Sequence, residues 1–195
     1  MIKIEKRFFH ILAITMAFIV VLSNYLVQFP VNYFGLQDLF TYGAFSYPVA
    51  FLITDLANRK YGKKVARKIV YIGFILGLIL TLYFSTDFSN LISQRIAIGS
   101  GTAFLIAQLL DVQIFDALRK KVWFLAPLIS SLVGSTIDTF LFFSIAFYGT
   151  GVNWITLSFG DLLVKIIVSL LMLIPFRLLL FKVKDISSIE KKISV

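Results

Sequence analysis

Two long apolar segments of this 195-residue chain carry polar side chains at helical spacing. In the first, Phe104, Gln108, Asp111 and Phe115 follow one another at positions i, i+4, i+7 and i+11, so a helix would place them along one face. A carboxylate can accept two N–H donors together, an amide can donate to a carbonyl, and aromatic rings stack on flat molecules. The stripe therefore predicts binding of a small solute with a polar, planar edge.

The second segment repeats this spacing with Ser131, Ser135, Asp138 and Phe142. Asp138 lies near the middle of its segment, where a carboxylate facing lipid would cost about 2.5–3.5 kcal/mol on insertion scales. We therefore expect Asp138 to face the protein interior and to be the main carboxylate of a binding site. These residues alone leave a nucleobase, a vitamin and an amino acid open as the solute.

Further charges lie inside or at the ends of apolar segments. Lys165 follows Asp161 by four residues, on the same helix face, and its depth makes an unpaired charge costly. Two interpretations stay open: a self-neutralising pair that only permits insertion, or a charged feature at the outer end of a solute pathway. Arg95, at the outer start of its segment, either snorkels to lipid head groups or belongs to the same entrance.

Two carboxylates near the ends of segments have a simpler interpretation. Asp55 precedes Arg59 by four residues, and Asp116 precedes Lys120 by the same spacing. Such pairs are neighbours on a helix surface and would form ordinary salt bridges at the membrane interface. For Asp55, a place in the binding site is the alternative.

The composition excludes most soluble domains and most enzymes. Hydrophobic residues make up 59% of the chain and charged residues 15%, with a mean hydropathy of +0.92, whereas soluble domains carry about a quarter charged residues. There is no cysteine, and His10 is the one histidine, so thiolate or histidine metal sites and the usual nucleophile–base pairs are excluded. We expect an integral membrane protein that is not an enzyme and uses no cofactor or metal. The buried carboxylates disfavour a purely structural role.

Six apolar segments are long enough, or nearly so, to cross a hydrocarbon core that takes about 20 helical residues. They cover residues 8–29, 39–57, 66–84, 96–115, 124–148 and 159–181. The second is the weakest, because it contains Pro48 and several polar residues. In the third, Gly73 and Gly77 form a GxxxG pair, typical of closely packed membrane helices. The sequence thus predicts one all-α transmembrane domain over residues 1–195, a bundle of six helices.

The basic residues give this bundle an orientation. All of the 19 lysines and arginines except Arg95 and Lys165 fall into four groups, on alternate sides of successive segments. The positive-inside rule then places both termini in the cytoplasm. The basic residues that give the net charge of +9 are thus explained by orientation in the membrane. We therefore expect the lipid bilayer as a partner and no nucleic acid.

Five stretches together resemble the bacterial queuosine-precursor transporter family, earlier catalogued as a vitamin-uptake family. They are SNYLVQFPV (23–31), YGAFSYPVAFLITDL (42–56), QLLDVQIFDALR (108–119), WFLAP (123–127) and GSTIDTFLFFSIAF (134–147). The resemblance runs from about Phe9 to Phe176. It implies import of 7-cyano-7-deazaguanine, and in some members 7-aminomethyl-7-deazaguanine, across the inner membrane for queuosine in tRNA. It also implies a fold similar to the six-helix substrate-binding subunits of energy-coupling-factor transporters, which need an ATPase partner.

The resemblance implies that polar positions of the family match polar residues of this chain. The chain differs from the family at two positions. Tyr42 stands where the family has a tryptophan and Ser135 where it has an asparagine, which affects fine selectivity. With the stripes and nearby aromatic residues, the expected substrate-binding set is Asn24, Gln28, Phe45, Ser46, Tyr47, Asp55, Arg95, Phe104, Gln108, Asp111, Ser135, Asp138, Asp161 and Lys165.

Within this set, Asp138 would accept the N–H donors of a guanine-like edge, while Gln108 or Asn24 would meet its carbonyl. The ring would stack on one of three aromatic side chains, Phe45, Tyr47 or Phe104. The alternative function is that of a substrate-binding subunit in an ATPase-energised vitamin or nucleobase importer. The sequence does not require an ATPase partner, and it specifies neither the oligomeric state nor the energy source.

Overall fold

The computed structural model describes residues 6–33, 39–84 and 86–180, and the regular structure in these ranges is helical apart from one isolated bridge. The helices are α1 (Lys6–Leu26), α2 (Gly43–Tyr61), α3 (Lys63–Phe84), α4 (Leu91–Leu118), α5 (Leu125–Phe147) and α6 (Trp154–Leu180). The prediction of an all-α bundle is confirmed for this part of the chain.

The connection between α1 and α2 contains more residues than predicted. Leu26 ends α1 and Gly43 begins α2, whereas the apolar pattern placed these limits at residues 29 and 39. Between the two helices, Pro30 and Thr41 form an antiparallel bridge. Apolar residues continue through this bridge, so hydropathy alone could not locate the helix ends.

The helix α4 begins five residues earlier than predicted, at Leu91. Asn90 caps it, because its Oδ1 accepts hydrogen bonds from the backbone N–H of Ile92 at 2.9 Å and of Ser93 at 3.3 Å. The first turn contains polar residues and is followed by Arg95, so the apolar pattern did not include the start of α4.

Five helices in the described part of the chain, α1, α3, α4, α5 and α6, are long and apolar enough to cross a membrane. The exception, α2, includes Asp55, Arg59 and Lys60. Yet 13 of its 19 residues are buried, and it packs against all five other helices. A helix enclosed by other helices needs little lipid-facing apolar surface, which explains why α2 is more polar than its neighbours.

The helices α1 and α3 approach each other closely at Gly73 and Gly77, as the GxxxG pair predicted. A Cβ atom on Gly77 would lie 2.7 Å from Cγ1 of Val20, and one on Gly73 would overlap the side chain of Met16. This contact fixes α1, which carries Asn24, against the rest of the bundle.

Basic side chains gather at one end of the bundle, formed by the α2–α3 turn and the α4–α5 connection and called the basic end below. There Asp116 lies 3.2 Å from both Lys63 and Arg119. The expected pair with Lys120 is therefore wrong: Arg119, at i+3, is also a helical neighbour and reaches the carboxylate instead.

Candidate functional site

Lys165 lies at the centre of a buried charge cluster between α5 and α6. Its Nζ is 2.7 Å from Asp161 Oδ2 and 2.9 Å from Asp138 Oδ2, and it donates to Thr139 Oγ1 at 3.0 Å. The Thr139 hydroxyl in turn donates to Asp161 Oδ2 at 3.1 Å. Because two carboxylates share one ammonium group, the cluster has a formal charge of −1.

Asp138 and Lys165 come together through tertiary packing. Asp161 lies one turn before Lys165 on α6, whereas Asp138 belongs to α5, which packs against α6. The sequence-based interpretation placed Asp138 in the binding site and Asp161 with Lys165 at a separate entrance. The structure instead brings all three side chains into one cluster.

Tyr47 of α2 lies beside these charges. The Lys165 ammonium is 4.9 Å from the centroid of its ring, within the range of a cation–π contact. The ring also meets Phe104 edge-on at 6.2 Å between centroids, and Phe104 stacks on Phe74 at the same centroid distance with 12° between planes. Tyr47 therefore adjoins the charge cluster, while Phe104 lies behind it.

A narrow cavity adjoins the cluster and is called the charged cavity below. Its lining comes from five helices, α1, α2, α4, α5 and α6, and from the residue after α1: Asn24, Val27, Gly43, Tyr47, Ser100, Asp138, Phe142, Asp161 and Lys165. The free volume is about 10 Å³, comparable to the space that one water molecule needs. Since a cavity that holds benzene measures about 150 Å³, a heterocycle enters only after the surrounding helices separate.

Two oxygen atoms on the wall of the charged cavity accept no hydrogen bond from the described residues, Asp138 Oδ1 and Asn24 Oδ1. Asp138 uses its other oxygen for Lys165, and Asn24 donates through Nδ2 to Thr81 at 3.0 Å. A buried polar atom without a partner costs about 1–3 kcal/mol, so such atoms mark places where a ligand or water binds. Because both atoms are acceptors, the charged cavity suits a solute with several N–H donors.

A larger cavity of about 300 Å³ lies at the end of the bundle opposite the basic end and is called the end cavity below. It is lined by Gln28, Pro30 and Thr41 beside the bridge, and by the adjacent ends of α4, α5 and α6. Val27 lines both cavities.

A second buried polar group lies closer to the basic end, between α2, α4 and α5. Gln108 Oε1 accepts a hydrogen bond from Thr54 at 2.5 Å, and Asp55 Oδ1 accepts one from Ser130 at 3.3 Å. Asn58 of α2 also donates to the Val112 carbonyl of α4 at 2.9 Å, so Asp55 and Asp111 lie at adjacent levels of these two helices. These three predicted residues form a group of their own, outside the charged cavity.

Four other residues of the predicted set also lie outside the charged cavity. Arg95 donates to the backbone oxygens of Ile145 and Tyr148 at the end of α5, where a cation complements the helix dipole. Ser46 shares a 2.8 Å hydrogen bond with Ser23 of α1, and Phe45 is 47% exposed. Ser135 is buried, and its hydroxyl has no partner among the described residues.

Two polar residues of the cluster and cavity were not predicted, Ser100 and Thr139. Ser100 stands four residues before Phe104 and continues the α4 stripe by one turn, so a longer stripe would have included it. Thr139 gives no comparable signal, because its bonds to Asp161 and Lys165 arise only when α5 packs against α6.

A helical bundle with five strongly apolar helices, and with charges buried around a cavity between them, defines a multi-pass membrane protein with an internal polar site. Residues 41–180 match the family described as "Putative vitamin uptake transporter". The chain belongs to this transporter family. No solved structure matches it.

Several relatives are similar over most of their length. The chain is 35% identical to the "Queuosine precursor transporter" of Escherichia coli (strain K12), with 93% of this chain and 90% of the relative covered. It is 36% identical to a protein of Haemophilus influenzae Rd and 32% identical to one of Bacillus subtilis 168, both named "Probable queuosine precursor transporter". These matches cover 86% and 83% of this chain, and 81% and 80% of the relatives. The relatives confirm the family resemblance and agree with a transporter rather than an enzyme.

Proposed function

We propose that this protein imports a queuosine-precursor base, 7-cyano-7-deazaguanine, and binds it in the charged cavity. The observation that carries the proposal is that two buried, unpartnered acceptors line the same cavity, Asp138 Oδ1 and Asn24 Oδ1. A guanine-type edge presents a ring N–H beside an exocyclic amine, so it offers the adjacent donors that these atoms lack. The names of the relatives support the same class of solute.

The other groups of the charged cavity complement the rest of such a base. The Lys165 ammonium and the Ser100 hydroxyl are donors that can meet the ring carbonyl, while Tyr47 and Phe142 supply aromatic surfaces. Asp161 holds Lys165 in place. The aminomethyl derivative, which carries an additional cation, would suit the formal charge of −1 and is proposed as a second substrate.

The basic end would face the cytoplasm by the positive-inside rule, which puts the end cavity on the outer face of the inner membrane. In this arrangement α2 is a sixth span shielded by the other helices, both termini are cytoplasmic, and residues 1–195 form one domain. A base from outside would enter the end cavity and then pass Val27. Gly43 leaves room for this side chain, since a Cβ there would lie 3.0 Å from Cβ of Val27.

A substrate-binding subunit of an ATPase-energised importer is the second candidate, favoured by the vitamin-uptake description of the matching family. The two candidates differ in what they require from a host cell. A self-sufficient importer works wherever it folds in the membrane, whereas a binding subunit needs its energising partner.

Bacterial cells that can neither make nor import queuosine precursors provide the test. They would express the protein, receive 7-cyano-7-deazaguanine at low concentration, and be assayed for queuosine in tRNA. We expect queuosine to return with the wild type. Folded wild-type protein without any queuosine would contradict a self-sufficient importer and favour the ATPase-dependent subunit.

The variant Asp138→Asn tests the site within the same assay. It removes a charge-assisted hydrogen bond worth about 1.5–3 kcal/mol, so we expect uptake at limiting substrate to fall by roughly tenfold or more. Asp116→Asn is the matched control, because Asp116 lies at the basic end and pairs with Lys63 and Arg119. Equal uptake by Asp138→Asn and the wild type would remove Asp138 from the site.

A further inference from the structure

The proposed substrate site leaves a buried carboxyl pair unused, Asp55 of α2 and Asp111 of α4. The two residues are 2% and 0% exposed and lie at adjacent levels of α2 and α4, because Thr54 bonds to Gln108 and Asn58 bonds to the Val112 carbonyl on either side of them. Ser130 donates to Asp55 at 3.3 Å, whereas neither oxygen of Asp111 accepts a hydrogen bond of regular geometry from the described residues. Asp111 is thus a fully buried carboxyl group without a hydrogen-bond partner among the described residues, near a second buried carboxyl group.

Two neighbouring carboxylates repel each other when both are charged, so a buried pair of this kind is suited to bind a proton. The polar group that α5 contributes to the pair is the Ser130 hydroxyl, which donates to Asp55. Basic side chains at the adjacent end of the bundle form other contacts: Arg59 donates to the Arg119 carbonyl, Arg67 to Gln113, Arg119 to Asn58, and Lys63 binds Asp116. From α6, Phe176 packs on Phe115.

Unpartnered polar atoms continue from this pair toward the charged cavity. Within the described part of the chain they include Gln108 Nε2, Ser135 Oγ and Asp138 Oδ1, each in a residue that is at most 1% exposed. Gln108 lies one turn before Asp111 on α4, and Ser135 lies one turn before Asp138 on α5. Buried polar atoms in proteins usually bond to water when they lack a protein partner.

The packing of α4 on α5 brings these atoms to similar levels in the bundle. The two helices are antiparallel, with Gly99 against Phe142 and Ile145. Gln108 lies nine residues after Gly99 on α4, and Ser135 lies seven and ten residues before Phe142 and Ile145 on α5. Because the rise per residue is the same in both helices, Gln108 and Ser135 lie at about the same level. These unpartnered atoms, called the polar line below, therefore lie at successive levels between the carboxyl pair and the charged cavity.

We propose that the Asp55–Asp111 pair is a proton-binding site and that one proton moves inward with each substrate molecule. This inference rests on the proposed import function. The proton leaves the outer solution, reaches the pair along the polar line when the charged cavity is open, and leaves toward the basic end. An inward-directed proton gradient then drives accumulation of the base.

Purified full-length protein in proteoliposomes allows a direct test, with labelled 7-cyano-7-deazaguanine as the probe. Valinomycin and equal potassium on both sides hold the membrane potential at zero. With the outside one pH unit more acidic, coupling to one proton limits accumulation to about tenfold, and we expect a ratio approaching this value. Exchange of labelled for unlabelled base at equal pH measures translocation without net proton movement.

The variant Asp111→Asn should separate these two activities. An asparagine resembles the protonated carboxyl and cannot release a proton, so we expect exchange to persist while the accumulation ratio falls to about one. Asp116→Asn, on the same helix but at the basic end, is the matched control and should keep the accumulation of the wild type.

Wild-type exchange without accumulation under the pH gradient would overturn the proton coupling and leave the import function intact. Accumulation driven by an inward sodium gradient at equal pH would assign the pair to sodium and also overturn the proposal. Undiminished accumulation in both Asp111→Asn and Asp55→Asn would remove the pair from coupling. Folded wild-type protein without exchange would refute the import function itself. The wild-type measurements decide the question even if a variant fails to fold.

Discussion

Lys165 is balanced by two buried carboxylates, so its removal would leave both without a cation. Breaking a buried ion pair by removing one partner costs about 3–5 kcal/mol. We expect Lys165→Met to lower the melting temperature and the yield of folded protein, measured in detergent by size-exclusion chromatography after heating. Asp161→Asn leaves the Lys165–Asp138 pair intact and should cost much less. A Lys165→Met protein as stable as the wild type would mean that these ion contacts contribute little to folding.

Periodicity identified the polar faces of the helices but not the partners of each side chain. The Asp161–Lys165 contact follows from spacing, because both residues lie on one helix. The contacts of Asp138 with Lys165 and of Asp55 with Ser130 each join two helices. Such pairs depend on how the helices pack and rotate against each other, which no local pattern in the sequence specifies.

At the scale of helices, the contact of α1 with α3 determines where Asn24 lies. Overpacking of a tight contact costs about 1–3 kcal/mol, and a side chain at Gly77 would meet Val20. We expect Gly77→Leu to lower both the melting temperature and the uptake per folded molecule, because α1 must shift and Asn24 moves with it. Both quantities can be measured on the same membrane preparation.

Gly101→Ala is the control for this prediction. A Cβ atom at Gly101 would lie 3.6 Å from Phe74 and Leu78, an ordinary van der Waals distance. We expect this variant to match the wild type in stability and uptake. Normal uptake by Gly77→Leu would mean that the substrate site tolerates displacement of α1.

The number of helices and their approximate positions were predictable, because each apolar segment had to be long enough for a membrane. Helix ends were less predictable, since they depend on local bonds such as the Asn90 cap of α4. The helix α2 was the weakest prediction for a related reason. Its polar residues are tolerated because other helices enclose it, and enclosure is a property of the assembled bundle.

At the scale of the whole molecule, the alternating basic groups and the enclosed α2 support the proposed six crossings with the basic end in the cytoplasm. The natural chain has no cysteine, so a single introduced cysteine reports its own location without background. Tyr33→Cys and Ser89→Cys would report on which side of the membrane the end cavity lies. Lys64→Cys and Lys121→Cys would report the side of the basic end. All four side chains are exposed.

We expect a membrane-impermeant maleimide to label the first two variants in intact spheroplasts, and the last two only after permeabilisation. Position 33 precedes α2 and position 64 follows it, so this pair tests whether α2 crosses the membrane. Labelling of both positions in intact spheroplasts would mean that α2 does not cross. Labelling of positions 64 and 121 alone in intact spheroplasts would mean that the bundle has the opposite orientation. The end cavity would then face the cytoplasm as an exit for the solute.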